Sequence, residues 1–454
     1  MLKLFNTLTR KKQAFKPIKE GEVGIYSCGP TVYWYQHIGN LKAYLFSDLL
    51  RRTLTFEGYK VKQVMNVTDV GHLTSDADEG EDKMEKAAKR EGKNAQEIAN
   101  YYWRLFKEDF KKLNIEEPNI WCKATDHIKE QIELIKTLEK KGYTYKTSDG
   151  IYFDTSKFKN YGKLALLDIK GLKAGARIEV GEKKNKTDFA LWKFSETPGA
   201  RQQEWASPWG IGFPGWHIEC SAMSTKYLGQ PIDIHTGGID HIPIHHTNEI
   251  AQSECATGKK FVNYWLHENF LTLGGEKVSK SKGGLFTIPE LEEKGFPPMV
   301  YRYFILTGHY RSPIEFSLDI LTTAKTTYQR IKNIISEIKD DGKTNEKALN
   351  EFKKAMDDDL NTPRALAVLW TLIRDEKAKG KIGAIKEMDK VLGLKLLEKE
   401  EKTKIPSEIQ SLLNQRQTAR ANKNWTLSDE LRDKIKQKGF IVEDKSDGQK
   451  VSKV

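Results

Sequence analysis

Two cysteines, a histidine and a glutamate in this 454-residue chain are spaced so that they could meet at one ion. The stretch YSCGPTVYWYQHIGN, residues 26–40, puts Cys28 at the end of an apolar run, followed by the Gly29-Pro30 break and then by His37. Much later, PGWHIECSAM carries Cys220, and IPIHHTNEIAQSECATG carries His245 and Glu249. Pro243 suits the first turn of a helix and Gly258 its end, so His245 and Glu249 fall at i and i+4 on one face. Two soft thiolates, an imidazole and a carboxylate make a donor set for tetrahedral zinc. A plainer reading also stands: a His-x-x-x-Glu pair is commonly a solvated surface couple, and a Cys closing a strand is commonly a small buried hydrophobe. Spacing alone leaves both open. Cys122, beside Trp121, and Cys255, near a helix end, read as packing residues.

A second group of residues suits phosphate. GGEKVSKSKGG, residues 274–284, is a glycine-bounded loop with Lys277, Lys280 and Lys282 among its serines. Closely spaced ammonium groups on a movable backbone suit a polyphosphate that gains charge during reaction. His37, at the start of a helix that follows a strand, sets an imidazole and a helix dipole where a nucleotide triphosphate would lie. A solvated basic loop is the alternative for the lysines.

The elements that must position these groups alternate as in an α/β domain. EVGIYSC (22–28) reads as a strand. Ile38, Leu41, Leu45 and Leu49 then recur at helical spacing up to Gly58, and KVKQVMNV (60–67) alternates as a second strand. Strand, helix, strand implies a parallel sheet with functional loops at the strand C-termini. Asn94 reads as the cap of a helix carrying Ile98, Tyr102, Leu105, Phe106 and Leu113, and Asp126 as the cap of one carrying Ile128, Ile132, Ile135 and Leu138. Residues 143–215, rich in glycine and carrying Trp192, Trp205 and Trp209, read as an insertion. The α/β pattern resumes near 216. From Asp319 to about 400 the chain reads as helical, broken at Asn361-Thr362-Pro363, and the last fifty residues form a polar, basic unit.

No run of about 18 apolar residues occurs, so no transmembrane helix is expected. The N-terminal stretch lacks a signal-peptide pattern, which makes the cytoplasm the expected compartment. Four cysteines are too few for a disulfide framework at this length. A net charge of +12 favours a polyanionic partner.

CGPTVYWYQHIGN, NVTDVGH, PGWHIECSAM, DIHTGGIDHIPIHHTNEIAQS, KVSKS, RYFILTGHYRSPIEFS and AMDDDLNTPRAL follow one another in order along the chain. Together with NTLTRKKQAFKPI at the start, they resemble cysteinyl-tRNA synthetases over essentially the whole length. HIGN is similar to the HIGH signature, and KVSKS to the KMSKS signature, of class I aminoacyl-tRNA synthetases. The resemblance implies a Rossmann-like parallel-sheet catalytic domain split by an insertion, then a helical bundle and a small anticodon-binding domain. Expected boundaries are 1–120 and 216–270 for the two catalytic halves, 121–215 for the insertion, 271–318 for the KMSKS-loop region, 319–403 for the bundle and 404–454 for the anticodon-binding domain.

The resemblance further implies that Cys28, Cys220, His245 and Glu249 hold zinc, which binds the thiolate of L-cysteine, with Thr68, Trp216 and His235 lining the cysteine pocket. ATP, accompanied by magnesium, would meet His37, Asn40, Gly238, Asp240, Lys277 and Lys280, of which His37, Asn40, Lys277 and Lys280 carry the catalysis. The implied reaction forms cysteinyl-adenylate and pyrophosphate, and then passes the cysteinyl group to tRNA(Cys). The expected enzyme is a monomer. In the basic tail Arg416, Arg420, Lys423, Arg432 and Lys434 are candidates to follow phosphates, with Trp425 to stack or pack.

The chain departs from the family pattern in four places. Asn40 replaces the signature's last histidine, Thr236 stands where glycine is commoner, Thr247 where glutamate is commoner, and Val451 near an expected tryptophan. Two rival readings share the motifs. One is the ligase that joins cysteine to a glucosaminyl-inositol sugar in mycothiol synthesis, which lacks an anticodon domain. The other is a catalytically inactive, zinc-holding RNA-binding paralogue, invited by Asn40.

Overall fold

The computed structural model describes residues 1–72, 82–166, 182–277, 286–398, 406–445 and 448–453. They form two compact units, Met1–Leu396 and Leu397–Val454.

The first unit is built on five strands in the order Val262–Glu268, Ile232–Gly238, Glu22–Ser27, Lys60–Val67, Ile120–Lys123. Every neighbouring pair is parallel, so each connection must cross over, and helices fill those crossovers. The helix Ile38–Phe56 buries Ile38, Leu41, Leu45 and Leu49, as the periodicity predicts. Gly58 follows it at φ +91°, a conformation that favours glycine. Trp216–Leu228 leads into the strand Ile232–Gly238, and His245–Thr257 links that strand to Val262–Glu268. The α/β fold with a parallel sheet is therefore the fold expected from sequence. Between its two halves lies a four-stranded antiparallel sheet in the order Thr144–Lys146, Gly150–Phe153, Phe189–Phe194, Gly212–Pro214.

Helix ends differ from the sequence reading in two places. Asn94 caps Ala95–Lys112 through a reciprocal bond with Glu97, but Asp126 does not cap the next helix. It sits in a 3-10 turn, Thr125–His127, ahead of Ile128–Lys140. The turn is held elsewhere: Thr125 donates its N–H and hydroxyl to the Asp69 carboxylate at 3.0 and 2.7 Å. Likewise, the helix bearing Glu249 begins at His245, two residues beyond Pro243, and closes at Gly258 in the left-handed conformation.

Helices Leu318–Glu337, Glu346–Asp357, Thr362–Arg374 and Lys381–Leu392 follow, with Asn361 capping the third and Pro363 in its first turn. Arg302 joins them to the sheet domain. Fully buried, it donates to the carbonyls of Leu392, Leu113 and Asn114 and, at 2.6 Å, to the Asp48 carboxylate.

The second unit pairs helices Ser407–Ala421 and Trp425–Gln437 with the hairpin Phe440–Lys445/Gly448–Lys453 over a core of Ile409, Leu413, Ile435, Phe440 and Val442. One expectation for its basic residues is corrected. Arg416 is wholly buried and donates to Asp444 and Gln449, so it braces the unit internally rather than following phosphates. Trp425 is exposed, with the Arg420 guanidinium 5.5 Å from its ring centre.

No helix among the described residues is long and apolar enough to cross a membrane.

Candidate active site and metal centre

In an open parallel sheet a crevice forms outside the strand C-termini where chain order reverses. Here that point lies between Glu22–Ser27 and Ile232–Gly238, because the chain runs outward from the first strand on one side and returns to its other side. A cavity of about 300 Å³ opens there, lined among others by Cys28, His37, Asn40, Thr68, Trp216, Cys220, Gly238, Asp240 and His245.

The loop after Ser27 is seated closely. Cys28 donates its N–H to the Thr236 carbonyl at 3.2 Å, and Gly29 donates to Asn66 Oδ1 at 2.8 Å. A Cβ at Gly29 would stand 1.7 Å from the Asn66 carbonyl oxygen, so only glycine fits beside that strand. At the next helix His37 is the N-cap: its Nδ1 accepts from the Asn40 N–H at 3.3 Å, and Asn40 Oδ1 accepts from the His37 N–H at 3.4 Å. A neutral His37 therefore carries its proton on Nε2. Asn40, the departure from the family signature, completes this reciprocal cap and keeps its amide N–H₂ as a donor.

Four candidate ligands converge. One donor atom each from Cys28, Cys220, His245 and Glu249 lie within 4.8 Å of one another. Cys28 comes from the strand end, Cys220 from the buried face of Trp216–Leu228, and His245 and Glu249 from successive turns of one helix. Glu249 is entirely buried, and among the described residues its Oε1 has no hydrogen-bond partner although His245 Nε2 lies 3.1 Å away. Buried electron-rich atoms in this arrangement call for a cation among them. Two sulfurs, a nitrogen and a carboxylate oxygen fit zinc.

Neighbouring imidazoles hold these donors. His245 Nδ1 lies 2.9 Å from His217 Nδ1. Burial, and the nearby charge of His245, keep His217 neutral with its pKa well below the ordinary range. It therefore accepts from His245 and leaves His245 Nε2 for an ion. Burial raises the Glu249 pKa, but the charges of His235 and His245 and the hydrogen bond with His235 prevail and hold it at about 2. Conversely, burial opposes protonation of His245, and Glu249 overrides it, raising that pKa to about 10. An imidazolium or a metal cation beside Glu249 meets the same need. A hydrogen bond from Cys220 holds the Cys28 thiol well below its usual pKa against burial, and Cys220 is raised in turn.

The other sequence candidates are placed as follows. The Thr68 hydroxyl donates to Glu219 Oε2 at 2.9 Å and accepts from Asn66 Nδ2 at 3.1 Å, while His72 Nε2 meets Glu219 Oε1 at 2.5 Å. The Trp216 ring lies 4.5 Å from that of His245. His235 is fully buried behind Glu249, bonded to its Oε2 at 2.9 Å and stacked on Trp265. Lys277 belongs to the short strand Glu276–Lys277, whose backbone alone is described. Lys280 lies outside the described residues.

Sequence reasoning passed over His217, His246, His267 and Glu219. His246 Nε2 is 3.3 Å from Cys28 Sγ, its Nδ1 is 2.7 Å from His267 Nε2, and His267 Nδ1 is 2.8 Å from Thr7 Oγ1. The consecutive histidines of IPIHHTNE were the one signal that could have found His246.

Residues 14–326 match the tRNA synthetases class I (C) catalytic domain, 351–397 the DALR domain, and 402–451 the cysteinyl-tRNA ligase anticodon binding domain. The chain is 50% identical over 453 residues to cysteine--tRNA ligase 1 of Burkholderia lata, covering 99% of this chain and 96% of the relative. It is 49% identical over 483 residues to cysteine--tRNA ligase of Treponema denticola, covering 98% of each. Among solved structures, the fold is similar to an Agrobacterium radiobacter LeuRS in a ternary complex with tRNA and LeuAMS, with TM-score 0.58, 12% identity and 84% of each chain covered. It is also similar to Mycobacterium tuberculosis methionyl-tRNA synthetase with methionyl-adenylate, with TM-score 0.53, 15% identity and 82% and 88% covered. A catalytic-domain match over most of the chain, an anticodon-binding match at its end and relatives of near-equal length place this chain in the cysteinyl-tRNA synthetase family.

Proposed function

We propose that the protein attaches cysteine to tRNA(Cys) in two steps: the cysteine carboxylate attacks the α-phosphate of magnesium-bound ATP to form cysteinyl-adenylate, and a terminal ribose hydroxyl of the tRNA then takes the cysteinyl group. The observation that supports this most directly is the convergence of Cys28, Cys220 and His245, which line the switch-point cavity, with Glu249 buried behind them. Those four residues would hold zinc, which supplies a soft Lewis acid that prefers a thiolate to the protonated hydroxyl of serine. Shape alone separates such near-isosteres by only about 1–3 kcal/mol.

Neither step requires a protein nucleophile, so the chain's own work is to orient groups and stabilise charge. His37, its Nδ1 tied to the helix backbone, offers Nε2–H at a helix N-terminus to the phosphates. Asn40 adds an amide donor from the same turn, and Lys277 and Lys280 would supply ammonium groups to the phosphates. Gly238, the last residue of the strand Ile232–Gly238, and Asp240, just beyond it, serve the adenosine. Thr68, aimed by the buried Glu219, and Trp216 border the cysteine. The enzyme acts as a monomer in the cytoplasm, where its four free cysteines remain reduced.

The match of residues 402–451 to an anticodon-binding domain speaks against the amino-sugar ligase. Asn40 as part of an intact cap speaks against an inactive paralogue.

The test is cysteine-dependent exchange of labelled pyrophosphate into ATP, followed by charging of purified tRNA(Cys). Exchange with cysteine, negligible exchange with serine, and a charged tRNA are expected. Absence of exchange from zinc-loaded protein, or equal signals from serine and cysteine, overturns the reading.

A further inference from the structure

A second set of four donors overlaps the first. Cys28, His235, His246 and Glu249 also bring one ligand atom each within 4.8 Å of one another. The two sets share Cys28 and Glu249 and differ in the other pair. Cys220 and His245 line the cavity, whereas His235, His246 and Glu249 do not. His235, His246 and Glu249 are each 0% exposed. The second set therefore lies behind the first, on the side away from substrate.

The private donors of this inner set are prepared as metal ligands are. A ligating imidazole ordinarily turns its other nitrogen to a fixed partner, which settles its tautomer and ring plane. His246 turns Nδ1 to His267 Nε2 at 2.7 Å, and His267 in turn meets Thr7 Oγ1 at 2.8 Å. This leaves His246 Nε2 facing Cys28 Sγ at 3.3 Å and Glu249 Oε1 at 3.8 Å. His235 sets Nδ1 near the Thr236 carbonyl at 3.3 Å, and its Nε2 faces Glu249 Oε2 at 2.9 Å. Each Glu249 oxygen thus looks toward one private donor of the inner set, while Oε1 also faces His245 of the outer set at 3.1 Å.

Charge favours such a place for a divalent ion. One thiolate and one carboxylate neutralise it, whereas the outer set, with two thiolates and a carboxylate, leaves one negative charge in excess. A dry site penalises net charge, and a neutral centre escapes most of that cost. The outer set borders the cavity, where solvent or a substrate ammonium can meet its excess charge.

We infer that the protein has a second, inner metal seat formed by Cys28, Glu249, His235 and His246, exclusive of the outer one because they share two ligands, in which a divalent ion such as zinc is held deeper than in the outer seat, with Cys28 as its one ligand that borders the cavity. The inference rests on the zinc reading above and extends it. An ion that loses an outer ligand has somewhere to go without leaving the protein.

The experiment loads the full-length chain with zinc, and separately with cobalt(II), and reads bound metal per chain and the thiolate-to-cobalt charge-transfer band. Cys220→Ser and His245→Asn, each removing a ligand private to the outer set, are expected to keep close to one ion per chain. The cobalt band of Cys220→Ser should correspond to a single thiolate. His246→Gln alone should keep its ion with two thiolates, and Cys220→Ser combined with His246→Gln should lose it. Loss of metal from both outer-ligand variants while the wild type binds overturns the inner seat and leaves the outer site standing. Retention of the ion by the double variant, or its loss from His246→Gln alone, also overturns it. A wild-type chain that binds neither ion overturns the zinc reading and the inner seat together.

Discussion

Gly29 offers a sharp test of how the site is positioned, because it neither ligates nor contacts substrate through a side chain. A methyl group added there would stand 1.7 Å from the Asn66 carbonyl oxygen, 2.7 Å from its carbon and 3.1 Å from Met65 Cγ. Backbone does not yield as a flexible side chain does, so in Gly29→Ala the 28–30 segment must retreat from the strand Lys60–Val67 by about 1 Å or more. The retreat opens the 2.8 Å bond from the Gly29 N–H to Asn66 Oδ1 and the contact between Thr31 and Thr68. It also carries Cys28 out of the 4.8 Å cluster of donors. Overpacking of this kind costs about 1–3 kcal/mol of stability. A misplacement of about 1 Å at a reacting centre lowers rate about 10²-fold. The variant should therefore stay folded, with cysteine-dependent pyrophosphate exchange reduced about 10²-fold and weaker zinc binding. Exchange and zinc content both within about twofold of wild type would refute the claim that this close approach positions the thiolate.

Two further perturbations probe the scaffold. Asp109 is buried on the helix Ala95–Lys112, and burial, partly offset by Lys112, raises its pKa from 3.8 to about 7. Because the folded carboxyl holds its proton where the unfolded one has released it, stability falls as pH rises from about 4 to 7 and then levels off. Asp109→Asn should gain about 4 kcal/mol over wild type at pH 8 and almost nothing at pH 4 in urea unfolding; equal gains at both would contradict the assignment. Arg302→Met removes one partner of the buried Asp48 and the arginine donors of the Leu392 and Leu113 carbonyls, while the Asn114 carbonyl keeps its bond from Arg52. It should lower unfolding free energy by about 3–5 kcal/mol by chemical denaturation, and a loss below about 1 kcal/mol would show that the arginine is dispensable.

What could be read from the sequence was what local geometry or strand order dictates. Cys28 at a strand end, His37 at a helix start, and His245 with Glu249 one turn apart each follow from a short stretch. A parallel sheet then gathers loop residues at one edge whatever their separation in sequence. Thus Thr236 and Cys28, more than two hundred residues apart, meet through a backbone bond once their strands lie side by side. Contacts set by how one element crosses another were not readable. His217, His246 and His267 lie on two helices and a strand with no common spacing, yet His217 bonds His245, and His246 bonds His267. Glu219 precedes Cys220 in the sequence but turns toward Thr68 and His72. Asp126 failed as a cap because a competing carboxylate, Asp69, captured the turn before it. Arg416 was misread because its partner, Asp444, comes from a hairpin folded back across the helix. The buried imidazoles were invisible for a related reason. Each is a ligand or a buttress only by virtue of which nitrogen its neighbour engages, and that choice is made by packing. The inner donor set follows from this logic: once His267 takes one nitrogen of His246, the other is committed to Cys28 and Glu249, whether or not an ion is held there.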